Sequence, residues 1–574
     1  MKRRLYLLMF CLCATSLRGA DTNAPFPADC WGVYSWAGWN TKKVTRATCP
    51  LIKGAPIILK WHALEPEPGQ FAFDRHLGDK LKLAVENDFY TFVMIWVAPS
   101  APRWLYENGV PEVRMTQTIS PRRQPRDWTF QYYLDEDYTR YFHRLIRAFG
   151  QYVQDLPPAM QDRILFVQSA EGSTGDGFCY KGDPLDARYN ISRDQWSRFR
   201  MDTWQVYREA FSNPKTGRVM PFLVNYDANR EAEYNWVMTH LDAIGLKNGM
   251  FSHGYHISDT QQRLASWRSF ARDVSTAGKT FFSRGEQDAE WQVCGWSRQN
   301  PKQALYWSAL FATTCGLDMW NLPAEACQGE TYVSAINFFN KYAAHHDAST
   351  SPGAFCALRK GLDAADTKAY PDAVYGKAVK SNVTRYQKIA EAFNALGAMQ
   401  GDPDKATGGG MKNRQRDQYN DVGWKILPGN YGRFLEQIDP EQTSIGWWHV
   451  GPKDSIYSRF ARSFDAAHGK RHMAFRLDDR FFAQKDKPHP VGLRVVYLDQ
   501  GDGQWALDYH GPHGEKRAVS VTCKNTNTWK ELNVVLKDAQ FSQGLEGQSD
   551  LILRHVEGSN TAFHMLELTR HGMP

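Results

Sequence analysis

The sequence predicts a (β/α)8 TIM barrel followed by a C-terminal all-β sandwich of jelly-roll type. Three observations lead there. From residue 30 to about 330, short apolar segments alternate with amphipathic stretches. Eight such segments can be marked, the number a closed barrel needs. From about Thr443 onward the pattern is all-β, with segments such as LRVVYLD, RAVSVTC, LNVVL and LILRHV separated by Gly/Asp turns.

The eight strand segments are Cys30–Trp36, Pro56–Trp61, Tyr90–Val97, Ile164–Ser169, Pro221–Tyr226, Met250–His253, Thr280–Arg284 and Leu317–Trp320. Between them, Tyr138–Val153 has the clearest helical spacing of apolar residues, with Asp137 as a candidate N-cap. A second helix begins at Pro301, a residue favoured in a first turn, and runs to Gly316. The domains expected are a signal peptide over 1–20, a barrel over 21–345, a helical and loop-rich connection over 346–440, and the sandwich over 441–574.

The first residues read MKRRLYLLMFCLCATSLRGADT, with Lys2, Arg3 and Arg4 before a short apolar run and a small residue at Ala20. This is the pattern of a cleaved export signal, so a secreted or periplasmic protein with no membrane segment in its mature form is expected. Removing the basic residues at 2, 3, 4 and 18 lowers the formal charge from +7 to +3. No long basic run exists, and nucleic acid is excluded as a partner. The Arg122, Arg123 and Arg126 cluster is the local basic feature that an anionic ligand would meet, though a solvated loop is the plainer reading and is preferred. Eight cysteines remain after cleavage, and export permits disulfides without specifying their connectivity. No C-x-x-C or H-E-x-x-H occurs, so neither a metal nor another cofactor is expected. Aromatic residues make up 13% of the chain, including 20 Trp, which suits stacking on sugars as well as a large core.

In a (β/α)8 barrel the C-terminal strand ends meet at one mouth, where sites are built. Here they end in polar or aromatic residues: Trp61 and His62, Trp96 with Trp104 in the following loop, Glu171, Asn225, His253 and Tyr255, Arg284 and Glu286, and Trp320. A glycosidic bond is broken between two carboxyl groups, one donating a proton and the other attacking carbon or activating water. Glu171 after the fourth strand and Glu286 after the seventh stand on opposite sides of such a mouth, with Asp176, Asp288 and Glu290 as rivals. The tryptophans, Asn225, the histidines, Tyr255 and Arg284 are the candidate carbohydrate-binding residues.

Residues 61–105, WHALEPEPGQFAFDRHLGDKLKLAVENDFYTFVMIWVAPSAPRWL, resemble the W-x-x-L-E-P-x-x-G-x-[YF]-x-F-D signature of glycoside hydrolase family 42 and its clan A relatives. The helix at 138–153 followed by ILFVQSAEG is similar to that family's run into its acid/base glutamate. The resemblance covers about residues 30–330 and is most specific in its first half. It implies a retaining glycosidase with Glu171 as acid/base and Glu286 as nucleophile. The family usually has Asn before the acid/base, bonding the substrate's 2-hydroxyl, whereas this chain has Ala170. That departure suits a divergent branch acting on a sulfated or anhydro galactan of the agar or carrageenan type. Another donor, Asn225 or His62, would also answer it, and the alternative to a hydrolase is a non-catalytic glycan-binding protein on a degenerate barrel.

Overall fold

The computed structural model describes residues 25–36, 43–115, 129–173, 177–213, 217–225, 231–248, 261–287, 299–401 and 421–570. Eight parallel strands form one sheet: β1 (Gly32–Ser35), β2 (Ile57–Lys60), β3 (Thr91–Trp96), β4 (Ile164–Gln168), β5 (Phe222–Val224), β6 (Ala243–Asn248), β7 (Thr280–Glu286) and β8 (Met319–Leu322). From β2 to β8 each pairs with its sequence neighbour, and β8 pairs back on β1. The segment just before β2 closes the ring: Ser35 N donates to Gly54 O at 2.9 Å, and Tyr90 N donates to Lys53 O at 2.9 Å. The predicted barrel is therefore present.

The sixth strand differs from expectation. Met250–His253 lies outside the described residues, and the strand at that place in the sheet is Ala243–Asn248. Its sequence, AIGLKN, interrupts an apolar run with Gly245 and Lys247. Gly245 is there because Phe282 lies against it: a Cβ would sit 2.4 Å from the ring. β7 also runs further than read from sequence, through Glu286.

Aromatic side chains fill the barrel. Phe92 and Phe166 stack with centroids 5.0 Å apart, and Phe282 packs on Phe166 at 5.1 Å. Phe26, from the segment before β1, packs on Phe282 at 4.8 Å. Around the barrel lie α1 (Asp79–Glu86), α2 (Glu136–Asp155), α3 (Arg193–Ala210), α4 (Glu231–His240), α5 (Gln261–Thr276), α6 (Pro301–Cys315) and α7 (Val333–Tyr342). Asp135 caps α2 by accepting from Tyr138 N at 3.0 Å, so the cap is two residues earlier than Asp137. α6 starts at Pro301 and ends in left-handed Gly316, as the sequence indicates.

The sandwich has two antiparallel sheets. One contains β9 (Gly353–Ala357), β10 (Tyr431–Arg433), β12 (Ile445–Trp448), β13 (Phe460–Ser463), β15 (His489–Asp499), β18 (Thr528–Ala539) and β20 (Ala562–Thr569). The other contains β11 (Leu435–Gln437), β14 (His472–Leu477), β16 (Gln504–Gly511), β17 (Gly514–Thr522) and β19 (Leu551–Glu557). Leu493, Val495, Leu566 and Leu568 of the first sheet meet Phe475, Leu507 and Leu553 of the second in one buried cluster. Strands β9 to β11 fall within the stretch read as a connection, so the sandwich draws strands from before residue 441. These strands are short, and β9 has no polar face because both its sides are covered.

β20 joins the two domains and is buried on both faces. Glu567 accepts from Tyr342 Oη at 2.7 Å and Lys341 Nζ at 2.9 Å on α7, and from Arg494 Nη2 at 2.7 Å on β15. His564 lies 3.1 Å from Tyr306 Oη on α6. No disulfide links the described residues, and none of their helices is long and apolar enough to cross a membrane.

Two outcomes follow for stability. Gly245→Ala forces a methyl against Phe282 and should cost about 1–3 kcal/mol in urea unfolding; an unchanged midpoint would contradict the packing described. Burial, reinforced by Arg494, pushes the His564 imidazole down to about 3. The unfolded chain takes up a proton near pH 6.5 that the native chain refuses. This contribution is thus whole above about pH 6.5 and lost as pH falls toward 3. His564→Gln should flatten the fall in melting temperature over that range.

Candidate active site

Which side chains face the barrel mouth follows from strand alternation. β4 carries one extra residue: Thr91 pairs with Ile164 but Phe92 with Phe166, so Leu165 is a bulge. Beyond it Phe166 faces the interior, Val167 joins the outer helix-facing core, Gln168 follows inward and Ala170 belongs to the interior cluster. Glu171, the next residue, has its partners on α3.

Glu171 is 0% exposed. Trp204 Nε1 donates to its Oε1 at 2.6 Å, and Arg200 Nε lies 3.6 Å from its Oε2. Arg200 is itself buried; it donates to Glu233 Oε2 on α4 at 3.0 Å and to the main-chain oxygen of Asn225 at the end of β5. Ser197 Oγ donates to the other oxygen of Glu233 at 2.6 Å. The guanidinium also lies over the Trp204 indole, 4.7 Å from its centroid. One cation thus serves two buried carboxyl groups and ties the ends of β4 and β5 to α3 and α4.

Glu286 is placed differently. It ends β7, with its side chain 16% exposed, between Arg284 Nη2 at 3.3 Å and Lys247 Nζ of β6 at 3.5 Å. Arg284 is fully buried; it donates from Nη1 to Asn321 Oδ1 of β8 at 3.1 Å and lies over the faces of Phe92 and Trp36. Above the aromatic floor, the mouth is therefore lined by Arg284, Glu286, Lys247 and Asn321 on one side, and by Trp96, Gln168 and Ala170 on the other. Glu171 and Glu286 have separate surroundings, one against the helices and one in the mouth.

The tryptophans divide in the same way. Trp96 belongs to the interior cluster and is half-buried. Trp61, Trp104 and Trp320 are not sugar platforms as placed. Trp61 packs on Tyr138 and Phe142 of α2, Trp104 on Tyr141, and Trp320 on Phe339 of α7. The reason for Trp320 is parity: Met319 and Asn321 take the inward positions of β8. For Trp61, β2 ends at Lys60 and a helical turn over Trp61–Leu64 directs the ring outward. His62 is exposed on that turn, its main-chain N donating to Ser100 O at 2.9 Å. Asn225 is half-buried at the end of β5. His253, Tyr255, Asp176, Asp288, Glu290 and the Arg122–Arg126 cluster lie outside the described residues. Asn321 is among the strand-end residues the sequence offers, whereas Lys247 and Gln168 are not; period-two alternation back from Ala170 points to Gln168, and Lys247 is brought in by its pairing with Arg284 across β6 and β7.

The WHALEPEPG motif proves to be a structural knot. The fully buried Glu65 accepts from Trp61 Nε1 at 2.8 Å, from Gly69 N at 2.7 Å and from Arg144 of α2, while Trp104 Nε1 donates to its main-chain oxygen at 2.9 Å.

No family model matches the chain, and no curated protein does. Among solved structures it is similar to β-galactosidase from the psychrophilic Marinomonas ef1, at 12% identity and a TM-score of 0.34 over 54% of this chain and 59% of that one. It is similar to the β-galactosidase of the Antarctic haloarchaeon Halorubrum lacusprofundi, at 13% identity and a TM-score of 0.34 over 54% and 57%. It is also similar to a family 10 endo-β-1,4-xylanase from Gloeophyllum trabeum, at 12% identity and a TM-score of 0.33 over 55% and 96%. The chain spans 59%, 51% and 57% of the first three such structures. Likeness at this level says nothing about activity, and the fold described above rests on the chain's own strand pairing.

Arg200→Met would leave the carboxyl groups of Glu171 and Glu233 without their shared cation in a sealed site. A loss of about 3–5 kcal/mol is expected in chemical denaturation. A loss under about 1 kcal/mol would show that this cation does not hold the two groups.

Proposed function

We propose that the chain is a glycoside hydrolase acting on a poly- or oligosaccharide, with Glu286 as the nucleophile. The observation that carries this reading is the position of Glu286: a partly exposed carboxylate at the C-terminal end of a barrel strand, with a cation against each oxygen. In a double displacement that carboxylate attacks the anomeric carbon to form a glycosyl-enzyme, and water then releases the sugar. Glu171 is the proposed acid/base; to serve, its carboxyl group must leave the α3 side and enter the mouth. The substrate class proposed is a sulfated or anhydro galactan, on the strength of the export signal, the aromatic content and Ala170 in place of Asn.

A second reading has a specific observation in its favour. Glu171 is enclosed by Trp204 and Arg200, and the interior position beside it holds Ala170. A barrel that binds glycans without cleaving them needs neither carboxylate in motion.

Reducing ends released from a panel of marine and plant polysaccharides test both. Glu286→Gln should abolish release with the melting temperature retained. Glu171→Gln should lower it by about 10²–10⁴-fold, the usual contribution of general acid–base catalysis. Full turnover in Glu286→Gln removes the nucleophile assignment. Undiminished turnover in Glu171→Gln, with reduced stability, assigns Glu171 to the scaffold. Binding without release by the wild type favours the second reading.

A further inference from the structure

The floor of the mouth holds polar atoms that the proposed chemistry does not use. Gln168 is 0% exposed, yet neither Oε1 nor Nε2 has a hydrogen-bond partner. Trp96 Nε1, on the adjacent strand, is likewise buried without one. Gln168 pairs with Met94, two residues before Trp96, so both side chains project inward from neighbouring strands at successive levels. Native proteins keep few buried polar atoms unpartnered, and each calls for a reason. Polar residues are also the unexpected choice at this depth, since the level beneath carries the packed rings of Phe92, Phe166 and Phe282. The next inward residue after Gln168 along the chain is Ala170, whose side chain is a single methyl group.

We infer that Gln168 and Trp96 form a hydrogen-bonding subsite for a neutral sugar hydroxyl. A hydroxyl donates one hydrogen bond and accepts two. Gln168 Oε1 accepts, and Gln168 Nε2 and Trp96 Nε1 donate, which matches that requirement with no charged group taking part. The subsite deepens the carbohydrate reading above and rests on it. It also explains how a barrel without Asn at position 170 can still hold a ring hydroxyl: the amide is supplied from two residues earlier on the same face.

The test is calorimetric titration of the whole protein with agar- and carrageenan-derived tetrasaccharides, and with galactose, glucose, mannose and their β-1,4-linked tetrasaccharides. Gln168→Leu keeps the side chain's bulk and removes its hydrogen bonds. It should weaken binding of the preferred sugar by about tenfold or more. Its ligand-free melting temperature should equal or exceed that of the wild type, because an apolar group replaces an unpartnered amide. Trp96→Phe keeps a ring and removes the N–H, and should weaken binding by about three- to tenfold. It supplies the answer if Gln168→Leu does not fold. Unchanged affinity in the variant tested overturns the subsite. So does a lower melting temperature in ligand-free Gln168→Leu, which would reveal a structural partner for the amide. Failure of the wild type to bind any of these sugars overturns it as well. Binding through Gln168 with no cleavage of any polysaccharide leaves the subsite standing and removes only the hydrolase reading.

Discussion

The mouth of this barrel depends on a single extra residue in β4. Because Leu165 is bulged, Phe166 rather than Leu165 stands opposite Phe92, and the aromatic floor forms from rings on adjacent strands. The same shift sets the parity of everything after it. Gln168 and Ala170 face inward, and Glu171 turns to α3. A one-residue change of register would exchange these roles, placing Glu171 in the mouth and Gln168 against the helices. The bulge therefore decides which polar groups a ligand meets.

Glu171 and Glu286 show how strongly surroundings separate two residues of one type. Each ends or follows a barrel strand, and sequence treats them alike. Glu171 is engaged by an indole N–H and a guanidinium shared with Glu233, all buried, so its removal from that site breaks a network spanning two helices. Glu286 is itself partly exposed, as is Lys247, and only Arg284 of the three is sealed from solvent, so the Glu286 carboxylate is less desolvated than that of Glu171. A carboxylate reaches a ligand at lower cost from a partly open site than from a sealed network, and by that measure Glu286 is the better placed of the two.

Sequence made the barrel legible because alternation of apolar strand and amphipathic helix is a property of consecutive residues. It made the motif at 61–69 visible for a related reason: Trp61, Glu65 and Gly69 bond one another locally, so their spacing is constrained. It could not show what the motif does, and Trp61 and Trp104, read as sugar platforms, prove to be scaffold around Glu65. The sixth strand was hidden because its composition answers to distant neighbours. Gly245 is set by a ring on β7 and Lys247 by a carboxylate there, and neither contact is written in the local pattern. Likewise β9 joins the sandwich through pairing with β20, which lies near the far end of the sequence.

The distribution of polar groups carries the last step. Outside the barrel wall, buried charges are met with partners: Glu65, Glu567 and Glu233 each accept from two or more groups. Inside the mouth, Gln168 leaves both amide atoms and Trp96 its indole N–H buried without a partner. A fold selected only for stability would place apolar side chains at those two positions, as it does one level below. Both groups lie on the concave side of the strands, the side on which barrel sites are built. The chemistry of those groups is neutral, whereas the opposite wall of the mouth is charged. On the proposed reading, a ligand that fills both presents a hydroxyl-bearing face to Gln168 and its glycosidic bond to Glu286.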